Sequence, residues 1–124
     1  METSQLISKL METPKMIATV QLSILDKTEE SQKITHEIIR CETKLRVLIT
    51  GLTDEAGKKL YSNEDARKAA FSEMVEDDIE LNDIKKRSSK IEHDLQEERI
   101  NFDLLTNEQK NIRAILMFLS GTQK

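Results

Sequence analysis

Two histidines, His36 and His93, are the only imidazoles in the chain, and neither stands where metal or acid–base chemistry would need it. A di-iron helix pair places Glu three residues before each His, but those positions hold Lys33 and Lys90. The run His36-Glu37-Ile38-Ile39-Arg40 opens like a zinc-protease helix, yet Arg40 occupies the place of the second His. The carboxylates of Glu76-Asp77-Asp78-Ile79-Glu80 lie in a segment that reads as continuous helix, where successive side chains diverge, and no Gly supplies the bend of a calcium loop. Cys41 is the single cysteine, so there is neither an internal disulfide nor a Cys-rich zinc site, and its position on an apolar seam marks it as a small core residue. Ser and Gly fall without nucleophile-elbow or phosphate-loop spacing. The expectation is no enzyme, no metal and no cofactor.

What remains are residues suited to recognition. Lys85, Lys86, Arg87 and Lys90 form a basic band between segments 70–84 and 91–103, whose net charges are −6 and −4. Such a band can touch phosphates or an acidic partner, or can pair with Asp26, Glu29 and Glu30 on a neighbouring helix. No aromatic residue accompanies it to stack a base. Around the one convincing internal break that the sequence offers lie Lys58, Lys59, Tyr61, Asn63 and Arg67, a candidate docking point because connecting loops commonly carry recognition. The apolar run Ile112, Ile115, Leu116, Phe118 and Leu119 is the candidate self-association surface.

These residues need long helices to position them. Of 124 residues, 34% are charged and 3% aromatic, with three Gly and one Pro, a profile of helical arms and not of a many-turned sheet. Alternating steps of four and three from Ala70 reach fifteen positions, eleven of them apolar: Ala70, Met74, Leu81, Ile84, Ile91, Leu95, Phe102, Leu105, Ile112, Leu116 and Leu119. The first arm repeats the pattern through Leu6, Leu10, Ile17, Val20, Ile24, Ile34, Ile38, Cys41, Leu45, Leu48 and Leu52, interrupted by Thr3, Thr13, Lys27 and Ser31. Thr13-Pro14 reads as a cap followed by a first helical residue, so the chain either kinks at Pro14 or starts its main helix there, and a start is the favoured expectation. Ser62 or Asn63 should cap the second arm, with Glu64 and Asp65 in its electropositive first turn, and Gly121 is a plausible stop.

The fold expected is all-α: a long antiparallel helical hairpin of coiled-coil type in one domain, 1–124. It comprises a short amphipathic N-terminal helix (1–13), arm 1 (14–50), a loop (51–62), arm 2 (63–119) and a tail (120–124). A register placing the turn inside the loop pairs Leu45 with Ala70, Cys41 with Met74, Ile34 with Leu81, Ile24 with Ile91 and Val20 with Leu95. It sets Glu29 and Glu30 opposite Lys86 and Lys85, at the cost of Glu37 near Asp78 and Glu42 near Glu73. A lone hairpin has little core, so the second apolar set off the seam calls for a partner, most simply a second hairpin completing a helical bundle.

Gly57-Lys58, Tyr61-Ser62-Asn63-Glu64 and Arg67 resemble a segment that opens a long amphipathic helix in small helical proteins of bacteriophages and mobile elements. The likeness covers about a dozen residues. It implies a phage or plasmid origin, beside genes of DNA recombination or host interaction, and carries over no catalytic residue. Prefoldin-like chaperones have the length and the antiparallel helices, but residues 51–62 offer no strand pairs.

Together these readings predict a non-enzymatic protein–protein interaction module, an adaptor, inhibitor or scaffold, that forms a homo-oligomer, a dimer first of all, and binds a protein partner. The alternative is an accessory nucleic-acid-binding protein of recombination or replication that uses the basic band. With Arg113 interrupting the apolar run at 112–119 and no basic region before an apolar core at the N-terminus, no membrane partner and a cytoplasmic location, bacterial or host, are expected.

Overall fold

A computed structural model describes residues 2–122, with the side chain of Thr122 left out. The chain is all-α: α1 spans Thr3–Gly51, α2 Glu64–Asp77 and α3 Ile79–Thr122. The long helices α1 and α3 pack together as a hairpin with the short α2 between them in sequence. Contacts divide the chain into two units, one of residues 1–29 with 93–124 and one of residues 30–92.

The heptad seams are the buried stripes. In the first unit Leu6, Thr13 and Val20 of α1 and Leu95, Leu105 and Ile112 of α3 are buried, with Leu10, Ile17, Phe102 and Leu116 half-buried between them. In the second, Ile34, Ile84 and Ile91 form the core cluster, and Ile38 and Cys41 pack against it. Near the end of α1 the stripe moves from Leu48, which is exposed, to Ile49, which is buried. A straight helix of about 3.6 residues per turn drifts off a strict seven-residue repeat in this way.

The short N-terminal helix ending before Pro14 does not exist. The first helix runs through Pro14 without a break. Leu6 and Thr13 before the proline and Ile17 and Val20 after it keep one inward phase, so packing of the whole stripe offsets a missing amide and a ring clash worth about 3 kcal/mol. The buried Thr13 hydroxyl donates to the Lys9 carbonyl at 2.6 Å, leaving no unsatisfied polar atom there.

The second arm is two helices. Asp78 adopts an extended conformation (φ −76°, ψ 111°) and its amide donates to the Met74 carbonyl, closing α2. Its side-chain oxygen accepts from the Leu81 amide at 2.8 Å, opening α3. One residue therefore caps both helices. Gly121 does not end α3, which continues to Thr122; residues 123 and 124 of the expected tail lie outside the described residues.

Along residues 27–38 of α1 the register also departs from expectation, by about one heptad, while Lys9 meets Glu108 within two residues of the expected partner. Ile34 sits against Ile84 and Ile91, whose midpoint lies between six and seven residues beyond Leu81. Glu37 meets Arg87 at 3.1 Å instead of facing Asp78, and Lys27 meets Glu98 at 2.9 Å. Moving a seven-residue repeat by seven keeps apolar positions opposite apolar positions, so the seams alone do not choose. The observed choice puts Lys27 and Glu98, both interruptions of their seams, into one ion pair and relieves the like-charge approach at Glu37. The break at Asp78 lets α2 and α3 follow different registers, and near the loop Leu45 and Ala70 still line one cleft, as expected.

Candidate functional site

The loop is built on Asp54. Its carboxylate accepts from the amides of Ala56 (2.9 Å) and Lys58 (3.0 Å), and its own amide donates to the Lys58 carbonyl at 2.8 Å. Gly57, at φ 81°, supplies the left-handed residue that this turn requires. A single antiparallel bridge joins Thr53 to Lys59, and Leu60 donates to the Leu52 carbonyl at 2.9 Å. Lys58 and Lys59 are thereby held on a tight, exposed turn.

Asn63 is the cap of α2, accepting from the Ala66 amide at 2.7 Å, with Glu64 and Asp65 in the first turn as expected. Arg67 donates to the Tyr61 carbonyl at 3.4 Å. The half-buried Tyr61 lies beside Leu45, Ala70 and Met74 in a shallow cleft. Of the five candidate residues at the tip, Tyr61, Asn63 and Arg67 thus form one local network in which Asn63 has a structural task, while the two lysines project from the turn.

Beside that network is a feature that sequence reasoning missed. Arg46 of α1 lies 4.5 Å from the centroid of the Phe71 ring of α2, roofing a cleft that also contains Ile49, Glu64, Arg67 and Lys68. Arg46 and Phe71 sit on different helices off the main seam, and only a register could have brought them together.

The basic band divides. Lys86, Arg87 and Lys90 are exposed, whereas Lys85 is half-buried. Arg87 is engaged by Glu37 at 3.1 Å and by Asp83 at 4.0 Å. The expected pairing with Asp26, Glu29 and Glu30 is not formed among the described residues, because the register has moved past it. Lys85, Lys86 and Lys90 have no ion pair among the described residues.

The self-association candidates divide as well. Ile112 is buried, and Leu116 and Leu119 half-buried, so these lie on the seam, while Ile115 and Phe118 point outward at 45% and 70% exposure. Outward with them in the same unit are Ile7, Met11, Met16, Leu22 and Leu25 of α1 and Ile100, Leu104 and Met117 of α3.

Lys27 and Glu98 shift each other's titration. The hydrogen bond from Lys27 holds the Glu98 carboxyl below its ordinary 4.5, helped by Ser23, and the same bond raises Lys27 above 10.5. Cys41 is a half-buried free thiol at the edge of the isoleucine cluster. His36 is exposed, and His93 faces Glu97 on its own helix at 3.1 Å. Among the described residues no group of three or more His, Cys, Asp or Glu side chains could hold a metal ion, and no helix is long and apolar enough to cross a membrane.

No protein-family model, curated protein or solved structure matches this chain. The resemblance at Gly57 to Arg67 therefore rests on those residues alone.

Proposed function

We propose that the chain is a non-enzymatic protein–protein interaction module, an adaptor, inhibitor or scaffold of a phage or mobile element acting in the cytoplasm. It self-associates as a dimer and takes a protein partner on its helix faces. The observation that carries this reading is the outward apolar set of the first unit. Advanced at about 100° per residue, Ile7, Met11, Leu22 and Leu25 of α1 fall within about 60° of arc, and so do Ile100, Leu104, Ile115 and Phe118 of α3, with Met16 and Met117 outside these arcs. Each long helix has one apolar stripe turned inward and another left in water. Scattered apolar residues on a surface are ordinary, but stripes at coiled-coil spacing are the pattern that a further helix covers. The bundle expected on self-association follows from the same stripes.

Sedimentation equilibrium tests the reading. Wild-type chain is expected to exceed its 14.3 kDa chain mass, and Ile115→Glu with Phe118→Glu to lower the average mass while leaving helical circular dichroism unchanged. A wild type that stays monomeric at about 100 µM, roughly −5.5 kcal/mol on the affinity scale, refutes self-association.

The second reading, nucleic-acid binding, is supported by Lys85, Lys86 and Lys90 lacking ion pairs among the described residues. It requires a salt-dependent shift of single- or double-stranded DNA that Lys85→Glu with Lys86→Glu abolishes. Absence of a shift at low salt removes it.

A further inference from the structure

We propose that the cationic cleft of the 30–92 unit receives the acidic start of α3, centred on Ile79, from a second copy of the chain. The cleft has a volume of about 310 Å3 and an apolar floor of Ile49, 2% exposed, and Phe71. Arg46, Arg67 and Lys68 rim it, against Glu64 as the one carboxylate of the lining. Arg46 holds its guanidinium carbon over the Phe71 ring, at the cleft that both residues line. Its approach to Glu42 is 4.0 Å, and Lys68 meets Glu64 at 3.3 Å with both side chains more than 70% exposed. Such same-helix pairs in water are weak and yield readily to a better placed carboxylate. Arg67 has the Tyr61 carbonyl and no carboxylate partner among the described residues.

The matching surface lies at the α2–α3 junction. Ile79 is 86% exposed, more than any other large apolar side chain among the described residues. Asp77 and Glu80 flank it, both exposed and neither in an ion pair or side-chain hydrogen bond among the described residues. An apolar floor between cations thus has its complement in an apolar side chain between free carboxylates. Burial at the centre would supply the affinity, and opposed charges around it the specificity. None of residues 72–83 lines the cleft of its own chain, so the two surfaces are free to meet across two copies. A chain of net charge −4 repels itself at long range, and a contact of this kind is where opposite charges face each other.

This contact is separate from the one proposed at 112–119, and sedimentation equilibrium of the full-length chain carrying Ile115→Glu and Phe118→Glu distinguishes them. Association is expected to persist in that chain and to weaken roughly tenfold between about 50 and about 500 mM NaCl. Adding Arg46→Glu with Arg67→Glu should abolish it, and adding Asp77→Lys with Glu80→Lys to those should restore it, since every copy then carries both reversed surfaces. Ile79→Ser, at a position the fold does not use, should abolish it with circular dichroism unchanged. A monomer at low salt, association indifferent to salt, failure of the reversed chain to associate, or Ile79→Ser behaving as its parent would each overturn the proposal.

Discussion

Truncating Ile34 to Ala tests the seam at its centre. Ile34 is 4% exposed and touches Ile84 and Ile91, so the substitution removes about three buried carbons from the core of the 30–92 unit. At about 0.8 kcal/mol per methylene the transfer loss is about 2.4 kcal/mol. The cavity adds to this, within the 2–5 kcal/mol seen on average for Ile→Ala in cores. A seam between two helices has solvent on both flanks and collapses more readily than a deep core, which places the expected loss near the lower end, about 2.5–3 kcal/mol. Ile39→Ala, at a side chain 54% exposed five residues further on, should cost less than about 1 kcal/mol. Urea unfolding followed by circular dichroism at fixed chain concentration reads both, with the slope required to stay constant so that the midpoint reports stability. A double-mutant cycle with Ile84→Ala should give a coupling of at least about 0.5 kcal/mol. If Ile34→Ala and Ile39→Ala cost the same, or if the cycle with Ile84 is additive, the packing described here is wrong.

Asp78→Ala removes the oxygen that caps α3, and should cost about 1 kcal/mol by urea unfolding, whereas the exposed Asp77→Ala should be nearly neutral. Gly57→Ala forces a side chain into a left-handed backbone at φ 81°; about 1 kcal/mol of stability is expected to be lost, against a change near zero for Gly121→Ala inside α3. The Glu98 carboxyl titrates below its ordinary 4.5 because Lys27 donates to it. Its contribution to stability is therefore full above pH 4.5 and lost as pH falls through the lower, folded value. Wild type should lose more stability than Glu98→Gln on acidification below that point, and equal slopes would dismiss the pair. Lys27, raised above 10.5, acts in the opposite sense: its contribution is present below pH 10.5 and disappears as pH climbs through the higher folded value.

Composition and spacing made the helices and their inward faces legible because a seven-residue repeat states which side of a helix is dry, whatever it packs against. Thr13, Lys27, Ser88 and Glu98 occupy seam positions as polar residues, and all four are at least half-buried. Three features were hidden for physical reasons. Pro14 is an exact cap-and-start signal locally, and only tertiary burial of Leu6 and Thr13 overrides it. Asp78 sits within a run of acidic residues, where nothing but backbone geometry distinguishes a cap from a solvated side chain. The register is degenerate under a heptad shift, so the wrong partner was available at every layer, and with it the pairing expected for Lys85 and Lys86. At the candidate sites, the cap role of Asn63 was readable from its place before Glu64 and Asp65. The cleft under Arg46 was not, since it depends on two helices meeting.

The central claim is that one apolar stripe of each long helix is covered within the chain and the other only by a second chain. Methyl NMR signals attenuated by a soluble paramagnetic agent test it directly across a range of protein concentrations. Ile34, Ile84, Ile91 and Ile112 should be protected at every concentration, while Ile100 and Ile115, attenuated in dilute samples, should gain protection as the chain is concentrated. Attenuation of Ile34 and Ile84 as strong as that of Ile79, or an Ile115 signal indifferent to concentration, would contradict the account.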